Sequence, residues 1–264
     1  MNRDKNIIAW FSAGVTSAVA CKLAIDKYEN VEIYYIETGC AHPDNERFIK
    51  DCEKWYGKKI NIVTNSKGYE NQIDVIKKTR YVNGPSGARC TVELKKNVRF
   101  EIENKEDWTN QVFGFEYSQK EINRAVRFKE QHSSTNPLFP LINKGLTKNQ
   151  CAWILNEVGI ELPVMYSLGY ENNNCIGCVK GGSFYWNKIR KDFPEWFDLM
   201  VKAEREVGNS CIKDTFLDEL SPTSGRENKK VMPECGIFCQ VEIADIISLK
   251  TNKVMSGEIS IDDI

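Results

Sequence analysis

Ile7-Ile8-Ala9-Trp10-Phe11-Ser12-Ala13-Gly14-Val15-Thr16-Ser17 is the stretch that decides the fold of this chain. Residues 7–11 form a short, continuous apolar run, the pattern of a strand buried on both faces. A loop of small residues follows. Residues 18–28 then repeat Val19, Leu23 and Ile25 at helical spacing. Strand, small-residue loop and helix make the first unit of a parallel βαβ fold. Such a loop aims backbone N–H groups and a helix N-terminus at one point, which suits an anion. Gly14 permits close backbone approach, and Ser12, Thr16 and Ser17 add hydroxyl donors. An ordinary tight βα turn has the same composition, so the loop alone leaves both readings open.

The alternation continues outward. Residues 31–36 read as a second strand ending at Glu37-Thr38-Gly39, and 43–56 as a helix with Phe48, Ile49, Cys52 and Trp55 on one side. A third strand at 60–63, a helix at 69–78, a later strand at 111–114 and a helix at 118–130 follow. The expected class is α/β, a Rossmann-like parallel sheet flanked by helices. The second half is punctuated by Pro137, Pro140 and Pro163. Thr147 is the N-cap of a helix to 158, and further helices are expected at 184–190 and 194–206. Residues 207–234 are polar and broken by glycine and proline, and read as mobile. The division expected is an α/β domain over 1–145 and a helical, cysteine-bearing part over 146–264.

The 264 residues fit one large domain, or a domain with an appendage. Hydrophobic residues make up 41% and charged residues 28%, enough for a core and against wholesale disorder. Lys plus Arg number 36 against 37 acidic residues, so no global basic field draws the protein to nucleic acid or membrane. No apolar run is long enough to span a bilayer. Ala18-Val19-Ala20-Cys21 faintly imitates a lipoprotein cleavage site, but Ser12, Gly14, Thr16 and Ser17 interrupt the apolar stretch. A cytoplasmic protein is expected. The 10 cysteines are too sparse for a disulfide scaffold and are clustered. Cys175 and Cys178 form C-x-x-C, and Cys235 and Cys239 lie close together, a pattern that favours metal or redox chemistry.

The loop resembles the S-G-G-x-[DT]-S pyrophosphate loop of the adenine nucleotide α-hydrolase superfamily. That superfamily includes the ATP pyrophosphatases and the phosphoadenosine phosphosulfate (PAPS) reductases. Ala13 replaces a glycine, and Thr16 stands where ATP-cleaving members usually carry aspartate. The likeness to the reductases continues along the chain. Glu37-Thr38-Gly39 followed by His42-Pro43-Asp44-Asn45 is similar to their acidic-T-G and H-P-E-T segment. Arg89-Cys90-Thr91 with Leu94-Lys95 resembles their cysteine-pair-then-lysine segment, Arg89 replacing one cysteine. Gly114 through Glu121 to Arg124 resembles their arginine-bearing anion site, with Glu116 where arginine is common. Pro140-Leu141 and Gly169-Tyr170 match the approach to the cysteines. Glu234-Cys235-Gly236-Ile237 matches the tail that carries the reductase nucleophile, Phe238 replacing its histidine.

This resemblance implies an adenine nucleotide α-hydrolase-like fold with the nucleotide held by Ser12, Gly14, Thr16, Ser17, Glu37, Thr38, Gly39, Arg89 and Arg124. It implies that Cys235 attacks the sulfur of a bound adenylyl sulfate and that a thioredoxin-like dithiol then frees sulfite. In the iron–sulfur branch of the family, a cysteine pair and the C-x-x-C hold a [4Fe–4S] cluster. Here Cys90, Cys175, Cys178 and Cys239 would hold it. The simpler pairing of Cys175, Cys178, Cys235 and Cys239 around zinc or a cluster leaves no free nucleophile. Two alternatives stand beside the reductase. One is an iron–sulfur-dependent sulfur-transfer enzyme for tRNA or DNA bases, the only reading with a nucleic-acid partner. The other is a metal-stabilised nucleotide-binding protein. Cys21, Cys52 and Cys151 read as core, and Cys40 sits at a strand's carboxyl edge, where ligands bind. His42 is a possible nucleotide contact. Trp153, Trp186 and Trp196 read as packing, and residues 188–191 as a solvated helix face.

Overall fold

The computed structural model describes residues 6–84, 87–225 and 251–263. Five parallel strands form one sheet in the order β3-β2-β1-β4-β5. They are β1 (Asn6–Phe11), β2 (Val31–Ile36), β3 (Asn61–Val63), β4 (Trp108–Val112) and β5 (Pro137–Leu138). The apolar run of β1 serves both faces. Ile7, Ala9 and Phe11 enter one core with α1 (Val15–Lys27) and α2 (Asn45–Tyr56). Ile8 and Trp10 enter the opposite core. Alternation along a pleated strand dictates this division.

The first core also takes Cys151 and Leu155 of α8 (Lys148–Glu157), and Cys21, Cys52 and Cys151 are all buried there. Thr147 and Gln150 close a capping box on that helix. The second core joins Phe113, Phe115, Phe139, Ile142 of α7 (Pro140–Asn143) and the face of α6 (Gln119–Gln131) to Val254 and Ile261. A third core lies beyond the strand ends. It packs α3 (Gln72–Thr79) against the C-x-x-C turn, Met165 of α9 (Val164–Ser167), α10 (Ser183–Asp192) and α11 (Pro194–Val207).

The structure departs from the sequence reading at several points. α1 begins at Val15 rather than 18, so Thr16 and Ser17 lie in its first turn. A helical run over 89–105 was not foreseen: α4 (Arg89–Thr91), a π-turn at Val92–Lys96 and α5 (Asn97–Lys105). Residues 207–225 are fastened down instead of loose. Buried Glu204 accepts the Cys211 and Leu217 amides, and Arg190 donates to the Leu217 and Leu220 carbonyls at 2.8 and 2.9 Å. Leu217 and Leu220 are buried, two apolar anchors that the polar composition conceals. Residues 188–191 are not simply solvated, because Ile189 is fully buried and Arg190 stacks on Phe197. Trp186 is core, but Trp153 is 62% exposed. No helix among the described residues is long and apolar enough to cross a membrane.

Candidate functional site

The sheet order reverses between β1 and β4, the place where open α/β sheets bind ligands at their carboxyl edge. A cleft of about 670 Å3 opens there. Its walls include Ser12, Thr16, Ser17, Thr38, Arg124 and Cys175, the predicted residues that the fold does bring together. Gly114 follows β4 and lies directly against the first turn of α1: a Cβ at Gly114 would stand 2.7 Å from the Cα of Ser17.

The 12–17 loop is held from within. The Ser17 hydroxyl donates to the Gly14 carbonyl at 2.9 Å and accepts the Ser12 amide at 3.0 Å. That serine therefore shapes the loop. Ala13, in the place of a family glycine, adopts φ 57°, the left-handed conformation glycine favours. Helix geometry gives the amides of Thr16 and Ser17 no acceptor within α1, so they are available to an anion.

Two cleft residues that the sequence reading missed lock this loop to distant chain. Tyr166 accepts the Val15 amide at 3.4 Å through its hydroxyl, whose pKa burial raises to about 12. Buried Asn173 donates to the Ala13 carbonyl and to Asn45 Oδ1, both at 2.7 Å, and Asn45 donates to the Tyr35 hydroxyl at 3.1 Å. The run Asn172-Asn173-Asn174 was visible in sequence, but only the fold shows that it returns to the loop.

Arg124, Lys95 and Lys148 bring positive charge to the walls. The Arg124 guanidinium lies over the Phe115 ring at 4.3 Å and pairs with Glu121 at 3.3 Å. Glu116 counts less against an anion site than its sequence position suggests. Its carboxylate accepts the Lys148 amide at the start of α8, where a helix N-terminus favours negative charge. Lys148 itself donates to Asn172 Oδ1 at 2.7 Å.

Other predicted residues stand apart from the walls. Gly14 lies behind the loop against Tyr166. Glu37 accepts the Gly39 amide at 2.7 Å and so ties its own turn. Arg89 pairs with buried Glu93 at 2.8 Å. His42 accepts the Asp44 amide through Nδ1 at 3.1 Å and rests against Phe193, a turn-building role.

The C-x-x-C turn is fixed on three sides. Gln72 Nε2 donates to the Ile176 and Gly177 carbonyls, each at 2.8 Å, and the Ile176 amide donates to the Cys40 carbonyl at 2.8 Å. The Cys178 amide donates to the Tyr185 hydroxyl at 2.8 Å. Cys90, Cys175 and Cys178 line a recess of about 20 Å3, room for about one water. Among the described residues, no three thiol, imidazole or carboxylate groups are placed to hold one metal ion. Cys239, the fourth ligand expected for a cluster with Cys90, Cys175 and Cys178, is not among those residues. Cys235 and Cys239 lie outside the described residues.

Asp44, at the head of α2, latches the 161–164 segment that carries Tyr166 into the cleft. Its carboxylate takes the Arg47 guanidinium at 2.7 Å and the Val164 amide at 2.9 Å, while Arg47 also donates to the Glu161 and Leu162 carbonyls. The Arg47 hydrogen bond holds the Asp44 pKa below its ordinary 3.8. A depressed carboxyl stabilises the fold above its unfolded pKa, and that contribution is lost as pH falls through the folded value. Asp44→Asn is therefore expected to lower the urea midpoint at neutral pH, and the difference from the parent should vanish well below pH 3.8. A difference independent of pH would refute the latch.

Over residues 6–184 the sequence matches the phosphoadenosine phosphosulfate reductase domain. Among solved structures, the chain is similar to phosphoadenylyl-sulfate (PAPS) reductase from Candida auris, determined as a phosphate complex. The TM-score is 0.51 at 18% identity, over 66% of this chain and 82% of that one. At that identity the likeness is one of fold. No curated protein matches the sequence.

Proposed function

Because the chain belongs to the phosphoadenosine phosphosulfate reductase family, we propose that it is a sulfonucleotide reductase, binding an adenylyl sulfate in the cleft and reducing its sulfate to sulfite. The observation that carries this reading is the composition of one cleft: the first-turn amides of α1, Arg124 and Lys95 for anionic groups, with a thiol in the same wall. Arginine's planar fork matches phosphate and sulfate oxygens, and a helix N-terminus complements their charge. No aspartate stands in the loop to hold magnesium and pyrophosphate, which supports the reductase over ATP-dependent base activation.

The attacking group in this reading is Cys235. Gly225, the last described residue before it, packs against Phe184 at the head of α10, close after the C-x-x-C turn. The Cys235 thiolate attacks the sulfate sulfur, an S–S bond forms, and the S–O bond to phosphate breaks. The nucleotide leaves with that electron pair. Arg124 and Lys95 hold its charge through the step. A thioredoxin-like dithiol then reduces the thiosulfonate, releasing sulfite.

The test is anaerobic turnover of adenylyl sulfate, with and without a 3′-phosphate, against a thioredoxin-class dithiol. Sulfite is expected to appear in step with dithiol oxidised. Cys235→Ser should slow release by about three orders of magnitude or more, with nucleotide affinity within about twofold. Absence of sulfite at stoichiometric enzyme would refute the reading.

A further inference from the structure

Tyr166 reaches the head of α1 from a distant segment. Its hydroxyl accepts the Val15 amide at 3.4 Å, and a Cβ at Gly14 would stand 3.4 Å from the same oxygen. The ring packs against the first core on one side and borders the cleft on the other. Its place is fixed by the chain before it. Asp44 and Arg47 hold residues 161–164 against α2, and the Tyr166 amide donates to the Pro163 carbonyl at 3.0 Å. Accepting an amide uses a lone pair of the hydroxyl and leaves its O–H to be placed. Among the described residues the Tyr166 hydroxyl donates to no acceptor. A polar hydrogen in such a setting destabilises the chain unless solvent or a ligand takes it.

The helix decides where that ligand sits. α1 begins at Val15, and its first internal hydrogen bond runs from the Ala18 amide to the Gly14 carbonyl at 3.0 Å. The amides of Val15, Thr16 and Ser17 therefore have no partner within α1. Tyr166 takes the first of them, and those of Thr16 and Ser17 remain for an anion. The amides of one first turn converge, so an anion oxygen seated on Thr16 and Ser17 is a neighbour of the phenol oxygen seated on Val15. Two oxygens held that close repel unless a proton lies between them, and the phenol carries one. The Lys148 ammonium, 5.3 Å from the centre of the Tyr166 ring, adds positive charge on the same side.

We propose that the Tyr166 hydroxyl is a ligand of the phosphoryl group held at the head of α1, donating its proton to an oxygen that the Thr16 and Ser17 amides also bind. This rests on the reductase reading only for the molecule to which that phosphoryl group belongs. In that reading the S–O bond breaks and its electron pair stays on the phosphate oxygen, so the phosphate gains one negative charge. A donor aimed at the phosphate binds it more strongly after cleavage than before, and so favours cleavage while keeping its own proton. Burial raises the phenol to about 12, so it stays a donor at ordinary pH.

Tyr166→Phe keeps the ring and removes the donor. By titration calorimetry on the full chain, the variant is expected to bind adenosine 5′-phosphate about tenfold or more weakly, and adenosine within about twofold of the parent. With adenylyl sulfate and a dithiol, its kcat should fall about tenfold. A merely structural role would weaken nucleoside and nucleotide alike. Equal losses for the two ligands overturn the proposal, as does an adenosine 5′-phosphate affinity within about twofold of the parent. A crystal structure of the parent with adenosine 5′-phosphate gives the answer without any variant. The Tyr166 oxygen is expected within about 3 Å of a phosphate oxygen, and a water between them overturns the proposal. Nucleotide binding that depends on Tyr166, with no sulfite formed, sustains the hydroxyl and refutes the reductase reading alone. If the parent binds no adenosine nucleotide, that reading fails, and inorganic phosphate becomes the probe. Binding about tenfold weaker in Tyr166→Phe then sustains the hydroxyl, and equal binding or none overturns it.

Discussion

Gly39→Ala is expected to lower the thermal unfolding midpoint by roughly 10 °C and to abolish turnover. A Cβ at position 39 would stand 1.8 Å from the carbonyl oxygen of Glu70, and 3.0 Å from its carbonyl carbon. Both are backbone atoms, so no side chain can swing aside. The residue also holds φ 69°, which costs an L-residue about 1–2 kcal/mol before any clash is counted. Strain and overpacking together put the loss near the upper end for a single substitution, about 3–5 kcal/mol. For a chain of this size each kcal/mol moves the midpoint by roughly 2–4 °C. The functional loss has a separate cause. Gly39 lies between Thr38 and Cys40, so relief of the clash displaces a cleft wall and the buried thiol together. Calorimetry of the variant checks the first claim, and a midpoint within about 2 °C of the parent would refute it.

Gly114→Ala should act the other way, with a modest loss of stability and a large loss of binding. The added methyl would stand 2.7 and 2.8 Å from Cα and N of Ser17, and 3.0 Å from the carbonyl carbon of Thr16. The obstructing atoms are the first turn of α1. Relief requires a shift of several tenths of an ångström in the loop that meets the anion. Overpacking of this kind costs about 1–3 kcal/mol. A misplacement near 1 Å can cost about a hundredfold in function. We expect nucleotide affinity to fall about 10–100-fold, measured by titration calorimetry with the cleft otherwise intact. Affinity within about twofold of the parent would show that the ligand does not depend on this loop.

What the sequence disclosed depended on how local the signal was. The run at 7–11 and the small residues after it reported β1 and its loop directly. The spacing of Phe48, Ile49 and Cys52 reported the buried side of α2. The run over 89–105 gave no such signal, because α5 buries only Val98 and Arg99 and most of its residues are polar. β5 spans only two residues and has no period to detect. The cleft was legible as a loop and an arginine. Its closure was not, because Tyr166 and Asn173 meet the loop across 151 and 160 residues of chain. Glu116 misled for the same reason: its amide partner lies 32 residues away. The contact between Cys40 and the C-x-x-C turn belongs to this class, since spacing rules consider only cysteines near one another in sequence.

The Asn173 carboxamide touches the loop on one side and the head of α2 on the other, and it precedes Cys175 by two positions. The 12–17 loop and the segment leading into the C-x-x-C turn therefore share a keystone. Neither can be retuned alone. Residues joined through one hydrogen-bonded hub give non-additive effects when changed together. Adaptation of this scaffold to a new nucleotide would thus be expected to proceed by paired substitutions, one in the loop and one beside the cysteine turn. Intermediates carrying only one of the two would be impaired in both tasks.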